Sequence, residues 1–548
     1  MTVTGLAGES LAASLTALGR FALKRGPNAE PRGLYCGMGA CGECLVSVDG
    51  QRNVRACMTK LTPGMQVRTC APPELPLARS ALVPDCRTPE ILVIGGGPAG
   101  LRAALAAHQA GAGVLLVDER ESLGGQFFKT LAPSHRFLDA VPSDSQFLAG
   151  QRLREAVAAA GVPCLTSTLV WGTGEGLEIA ALAGDRPIEI RPQRIILATG
   201  AIERGVPLPG WTLPGAMTTG AAQTLIRANR VIPGTRIVVA GHGPLNWQLA
   251  AELKAAGAQV VAVAESSRML DPLRLRHFAR MLRLDPRLTF NGARLLVQLW
   301  SRLSFGSCVA AIHGDTHVEA VTLAAIDAAG RPIMGRERRL QADVVAMGYG
   351  FYAANELARL LGCRHRHDAA SGGLMVERDA DGQTSVAGVY VVGDGARLGG
   401  APAAQAEGEI AGLSAAAALG HALSAALLRR RADRQRDLQR RREFQSALWS
   451  LFAAPRLALQ LADMQTIICR CEGVRRGEIA AYLTPGLQIG GLKRQLRAGM
   501  GRCQGRYCGP LLAEMIAAPG VGAGEAAFFA PRPPVRPLPL GLIARREP

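Results

Sequence analysis

Aromatic residues are scarce in this chain. Phe, Trp and Tyr together make up 4% of its 548 residues, which argues against a nucleic-acid binder that stacks bases on rings. The N-terminus, MTVTGLAGESLAASLTALGR, lacks a basic start followed by a compact apolar core, so no signal peptide is expected. Long hydrophobic runs are missing too. The Ala-rich stretch from Leu413 to Leu428 is interrupted by His421 and several serines. It is too short and too weakly apolar for a transmembrane segment, which leaves peripheral membrane association open. Charged residues reach only 19% against 48% apolar, which excludes a disordered chain. Acids number 44 against 62 bases, a net charge of +18 that suits an acidic partner and an Arg-rich proteome equally.

Glycine and cysteine are plentiful, at 65 and 13 residues. The cysteines are not spread as in a small secreted disulfide scaffold. Five fall between Cys36 and Cys70 and four between Cys469 and Cys508. They are expected to be metal ligands in a reducing, cytoplasmic setting. The length implies three or four units at roughly 100–200 residues per domain.

The first cluster, Cys36, Cys41, Cys44 and Cys57, has the spacing C-x4-C-x2-C, then twelve residues, then C. This is the plant-type 2Fe–2S ligand pattern, in which four thiolates converge on two irons inside a tight, glycine-rich loop. A zinc knuckle would favour two C-x2-C pairs. Cys70 and Cys86 fall outside the pattern and read as ordinary buried or linker thiols. The chain starts almost at the first helix of such a domain, so either the opening hairpin is lost or the true start lies upstream.

At Ile91 an apolar strand runs into GGGPAG, which places Gly95, Gly97 and Gly100 in a G-x-G-x-x-G fingerprint before an Ala-rich helix. Asp118 ends the next strand, where a carboxylate meets a ribose hydroxyl. Gly125 and Gln126 in GGQ, Thr199 and Gly200 in ATGA, and Gly393 and Asp394 in VGDG complete a set that points to FAD, with Asp394 at the ribityl chain. The pattern recurs at Arg236–Glu265, where Gly241 and Gly243 are followed by Asn246 in place of the third glycine. Glu265 takes the ribose-acid position and disfavours a 2′-phosphate. The fold is expected to be kept there, while NAD(H) use is doubtful. His242 reads as a tolerated turn residue.

The run ATGAIERGVPLPGWTLPGAMTTGAAQ, the GGQ motif and GMGRCQGRYCG resemble the α subunits of bacterial heteromeric FAD-dependent amino-acid dehydrogenases and oxidases. That family includes hydrogen cyanide synthase, opine oxidase and hydroxyproline or proline dehydrogenase α subunits, and relatives of sarcosine oxidase α. In several members the N-terminal ferredoxin is a separate subunit, so this chain resembles a fusion. The resemblance implies an electron-transfer role beside an FAD-dependent β subunit of amino-acid-oxidase type, with a quinone or another carrier as acceptor. The C-terminal cysteines, Cys469 and Cys471 in C-x-C and Cys503 and Cys508 in C-x4-C, resemble the bacterioferritin-associated-ferredoxin type of 2Fe–2S domain. Zinc is the alternative for four thiolates.

Other classes are disfavoured. A disulfide reductase needs a cysteine pair against the flavin, and neither FFKTLAPSHR nor TTGAAQTLIRANR contains one. No nucleophile–base constellation for hydrolysis occurs, and no catalytic side chain is assigned. Cys363, His365 and His367 read as a loop without the ligands to complete a metal site. A free-standing NADH-dependent reductase and an iron-delivery protein remain as alternative readings.

The expected fold class is α/β. It is a Rossmann-like flavoprotein with two dinucleotide-binding domains, an N-terminal β-grasp 2Fe–2S ferredoxin domain and a C-terminal small helical 2Fe–2S domain. The expected boundaries are 1–85 for the ferredoxin-like domain, 88–211 with 330–425 for the FAD domain, and 212–329 for the second nucleotide domain. A basic helical linker follows at 426–465, then the second cluster domain at 466–520 and a Pro-rich tail at 521–548. The eight arginines between Arg429 and Arg442 read as a solvated helix face, with an acidic partner as the less common reading. The tail is expected to lie extended on the surface or against another subunit.

Overall fold

The computed structural model describes residues 5–69, 84–135, 145–269, 271–517 and 524–539. The helices that position the sites are α1 (Leu11–Ala17), α2 (Pro98–Gln109), α3 (Thr219–Asn229), α4 (Pro244–Ala255), α5 (Leu275–Leu284), α6 (Pro286–Leu299), α7 (Gly400–Ala417) and α8 (Ala425–Leu451). Among the described residues no helix is long and apolar enough to cross a membrane.

Helix α1 is capped by Ser10, whose hydroxyl accepts from the Ala13 amide. The first cysteine loop follows it and leads into the sheet Gln51–Arg55, Leu45–Val48, Val67–Arg68, with the buried Leu45–Val48 at its centre. Cys70 lies outside the described residues. Cys86 is exposed, on the strand Asp85–Arg87 that joins a four-stranded sheet of the first nucleotide domain.

That domain has a parallel sheet in the order Val389–Val391, Arg194–Leu197, Ile91–Ile94, Val114–Val117, Cys164–Leu165. Ile91–Ile94 and Val114–Val117 are buried at every residue, so they are continuous apolar runs without alternation. Helices α2 and α7 cross at very short range. A Cβ on Gly408 would collide with the carbonyl oxygen of Ala99, and one on Gly412 with that of Ala103. Only small residues four apart on both helices allow that approach.

The second nucleotide domain has its own parallel sheet, Ala216–Thr218, Val344–Gly348, Arg236–Gly241, Gln259–Glu265, Leu303–Phe305. The return to the first domain therefore comes later than the expected residue 330. Val344–Gly348 is hydrogen-bonded between two strands of the second sheet, and the meander Ser307–His313, Ala320–Ile326, Pro332–Gln341 leads into it. The crossing back is made by Phe351–Ala353, antiparallel to Ala201–Glu203 on the outgoing chain.

Two further expectations are corrected. The string at Cys363 is no loop, because His365–Asp368 is a strand paired with Gly373–Val376 and His365 is buried. Helix α8 is not simply solvated. Leu438, Phe444, Ala447 and Leu451 are buried, Arg430 and Arg434 pair with the buried Glu409 of α7, and Arg442 pairs with Glu407. Its acidic partner thus lies within the chain. The tail residues up to 539 pack on their own chain, with Val535 buried, its amide donating to the Trp171 carbonyl and its carbonyl accepting from Arg506.

Candidate functional site

The first nucleotide site is assembled where the parallel strands end. Gly95 turns the chain at φ 106°, a conformation only glycine adopts cheaply. A Cβ on Gly100 would strike the Gly95 carbonyl, so the turn and α2 pack without a side chain between them. Gly97 caps α2 without a side-chain hydrogen bond, and a Cβ there would meet only the Gly125 Cα, at 3.9 Å. Open space over free helix amides is what a pyrophosphate requires. Asp118 accepts from the Gly96 amide at 2.5 Å and from the Arg120 amide at 2.7 Å, and burial raises its carboxyl.

The other predicted residues surround the same opening. Gly125 faces Gly97 across the GGQ turn that holds Gln126. The Thr199 hydroxyl donates to the Ala354 carbonyl at 2.6 Å, and Thr199 and Gly200 lie against Gly395, next to Gly393 and Asp394. Asp394 is half-buried and accepts from the amides of Gly399 and Gly400 at 2.9 and 3.0 Å. These residues and this cradle fit FAD.

Behind Gln126 stands a buried pair that the sequence reading missed. Lys129 Nζ donates to the Gln126 carbonyl at 2.5 Å and to Gln223 Oε1 at 3.2 Å. Burial pushes Lys129 down to about 7 and Glu203 up to about 7. Glu203 also accepts from the Gly220 amide at 2.8 Å.

The second nucleotide site keeps the strand, turn and helix but differs from the first at two side chains. Asn246 fills the place of the third glycine. Its amide donates to the Gly348 carbonyl at 2.9 Å and its carbonyl accepts from the Thr219 hydroxyl at 2.7 Å. Polar bridges thereby replace close helix–strand contact. Glu265 is buried and already accepts from the Gly243 amide, Trp247 Nε1 and the Ser267 amide at 3.2, 3.1 and 3.0 Å. A Cβ on Gly243 would stand 3.9 Å from the Trp449 ring, where α8 passes the turn. His242 is half-buried and is held down to about 4 by desolvation and then by Arg204, which favours its neutral form.

The eight cluster cysteines converge in pairs. Cys36 is in thiol contact with Cys41, Cys44 with Cys57, Cys469 with Cys508, and Cys471 with Cys503. Two pairs side by side suit two metal centres better than one. Backbone amides already point at sulfur, from Met38 and Cys41 to Cys36 Sγ at 3.5 and 3.4 Å and from Glu43 to Cys41 Sγ at 3.4 Å. The residues present fit 2Fe–2S clusters at both places. Among the described residues no group of three His, Cys, Asp or Glu side chains is placed to hold a single metal ion, and the string at Cys363 is no exception.

The two cysteine loops touch each other. Cys471 Sγ lies 3.9 Å from the Cys41 carbonyl oxygen. Arg470, between two ligand cysteines, is buried against the other loop, with Nε 3.3 Å from Glu43 Oε1 and its guanidinium 3.9 Å from the Tyr35 ring centre. Arg470 and Glu43 were not foreseen, although both stand beside ligand cysteines in the sequence.

Three family models match the chain. A 2Fe-2S iron-sulfur cluster binding domain covers residues 1–72, a pyridine nucleotide-disulphide oxidoreductase covers 89–284, and a BFD-like 2Fe-2S binding domain covers 467–518. The opine oxidase A subunit of Rhizobium meliloti is 34% identical over 466 residues, 83% of this chain and 98% of that protein. The hydrogen cyanide synthase HcnB subunit of Pseudomonas aeruginosa is 32% identical over 466 residues, 82% of this chain and 97% of that protein. Among solved structures, L-proline dehydrogenase from P. horikoshii superposes with a TM-score of 0.71, covering 99% of this chain and 96% of that one at 19% identity, a likeness of fold.

Proposed function

Because the chain belongs to the family of opine oxidase A subunits and hydrogen cyanide synthase HcnB subunits, we propose that it is the electron-transfer subunit of a heteromeric amino-acid or amine dehydrogenase. A separate FAD-dependent β subunit of amino-acid-oxidase type would oxidise the C–N bond of an opine, glycine, proline or hydroxyproline-type substrate. A quinone or another carrier would take the electrons. Bound FAD supplies the conversion between electron pairs and single electrons, and two 2Fe–2S clusters carry the single electrons.

The observation that carries this reading is the continuity from flavin cradle to cysteine loops. The strand Ala201–Glu203 leaves the cradle directly after Gly200. Five residues past Gly200, a Cβ on Gly205 would stand 3.3 Å from both the Tyr35 hydroxyl and the Tyr507 ring, beside Cys36 and Cys508. Five residues span at most about 18 Å. The exposed Leu273, Leu275, Phe290, Val297 and Trp300 around α5 and α6 support docking of such a partner, since exposed apolar side chains gathered on one element favour burial against another surface.

The alternative, a free-standing NADH reductase, needs a working second site. The engagement of Glu265 by Trp247 and by the amides of Gly243 and Ser267 speaks against it. Anaerobic purification of the chain alone tests both readings. The relay reading expects about four irons and one FAD per chain, with no flavin bleaching on addition of NADH. Rapid bleaching would favour the reductase, and fewer than about two irons in an intact preparation would overturn the assignment of the cysteines.

A further inference from the structure

The residues that fasten the two cysteine loops together are the sequence neighbours of the ligands themselves. Arg470, between Cys469 and Cys471, reaches Glu43 beside Cys44 and lies over Tyr35 beside Cys36. Its Nη1 also donates to the Trp211 carbonyl at 2.6 Å, and Trp211 Nε1 donates back to the Ile467 carbonyl at 2.8 Å. Tyr507, beside Cys508, meets Tyr35 edge to face at 5.4 Å. A Cβ on Gly42, inside the first loop, would stand 3.1 Å from Cβ of Arg502, beside Cys503. Arg470 and Glu43 are 5% and 1% exposed, so their contact is shielded from solvent. Lys24 and Arg32 flank the same carboxylate at 3.7 and 3.9 Å.

A guanidinium held this way, by a carboxylate, a carbonyl and the rings of Tyr35 and Trp211, has given up its hydration and is tolerated only while every contact is kept. It therefore fixes the spacing of the loops as well as joining them. We propose that Arg470 is the positioning residue that holds the two 2Fe–2S centres at electron-transfer contact, and that electrons pass between them across the Cys471–Cys41 contact. One electron leaves the reduced centre and enters the oxidised one. No bond forms or breaks, and no proton moves at Arg470 or Glu43. The electrons originate from the reduced flavin of the same chain. The inference rests on the relay reading above.

The test uses the whole chain as isolated, reduced with dithionite and observed by electron paramagnetic resonance. Two reduced clusters held in contact give spectra split or broadened by their magnetic interaction. Arg470→Lys keeps the charge but not the planar fork, and Arg470→Met removes both. Both variants are expected to keep wild-type iron and FAD content while the interaction shrinks in Lys and is lost in Met. Glu43→Gln, if Arg470→Met does not fold, is expected to weaken the interaction in the same direction. Retention of the full interaction in a folded, iron-replete variant would overturn the role of Arg470. Two clusters without any interaction in the wild-type chain would overturn direct contact transfer and leave the relay reading standing. An iron count of one cluster or none would instead sink the relay reading itself.

Discussion

Glu407 accepts a hydrogen bond from the Gly393 amide at 2.9 Å and so ties helix α7 to the turn that carries Asp394. The same carboxylate takes Arg378 at 2.9 Å and Arg442 of α8 at 3.0 Å. The basic helix and the flavin cradle thus share one buried acid. Glu407→Ala is expected to lower FAD content and to destabilise by roughly 1–3 kcal/mol, since it removes the buried acceptor shared by Arg378, Arg442 and the Gly393 amide. Iron at Cys36–Cys57 should be unaffected. Cofactor stoichiometry and a thermal melt check this, and unchanged FAD content would remove Glu407 from the cradle.

Two helical glycines, Gly408 at the α2–α7 crossing and Gly292 in α6, make opposite predictions for the same substitution. Gly408→Ala inserts a methyl against the Ala99 carbonyl and should destabilise by roughly 1–3 kcal/mol through overpacking. Gly292→Ala, in α6, meets nothing within 4 Å and should be neutral or stabilising by up to about 1 kcal/mol from helix propensity. Denaturant midpoints at constant m distinguish the two.

The pairwise cysteines predict separable losses. Cys44→Ser should remove about half the iron and leave the second cluster's spectrum, while Cys503→Ser should do the reverse. FAD should stay bound in both, because neither thiol belongs to the glycine cradle. Electron transfer to a carrier should be abolished in each. A fully active pair of variants would contradict a relay through the clusters.

Glu265 gives a pH signature. Burial raises its carboxyl from 4.5 to about 7. With the folded value above the unfolded one, its contribution to stability is complete below about pH 4.5 and is lost as pH rises through about 7. That loss amounts to about 3 kcal/mol by about pH 8. Glu265→Gln should remove it, so the stability difference between variant and wild type should grow in the variant's favour with pH. Urea titrations from about pH 5 to 8 measure this, and a pH-independent difference would show an unshifted carboxyl.

Much of this molecule is legible in its sequence because the chemistry is local. A cluster loop must place thiols a few residues apart around glycines, and a pyrophosphate turn must place glycines between a strand and a helix. Cys36–Cys57 can therefore be read from its spacing and Gly95–Gly100 from its place between a strand and a helix, whereas Cys469–Cys508 is read through its resemblance to a known cluster domain. The two α/β units are legible too, through apolar runs followed by glycine turns. The boundary at 330 was less legible because Val344–Gly348 joins the middle of a parallel sheet after a long excursion, and nothing near 344 names its neighbours.

The sequence by itself determined which cofactor classes the chain can hold and in what order along the chain. Tertiary structure alone decided which sites meet and which acids are already engaged. Cys41 and Cys471 are 430 residues apart and touch because Tyr35, Cys36, Trp211, Cys503 and Tyr507 are buried in one common core. Glu265 has the position of a ribose acid, yet its oxygens are engaged by Trp247 and Gly243, and α8 brings Trp449 over the turn. Burial of apolar surface is non-directional, so no periodicity in the chain encodes which distant loops it brings together.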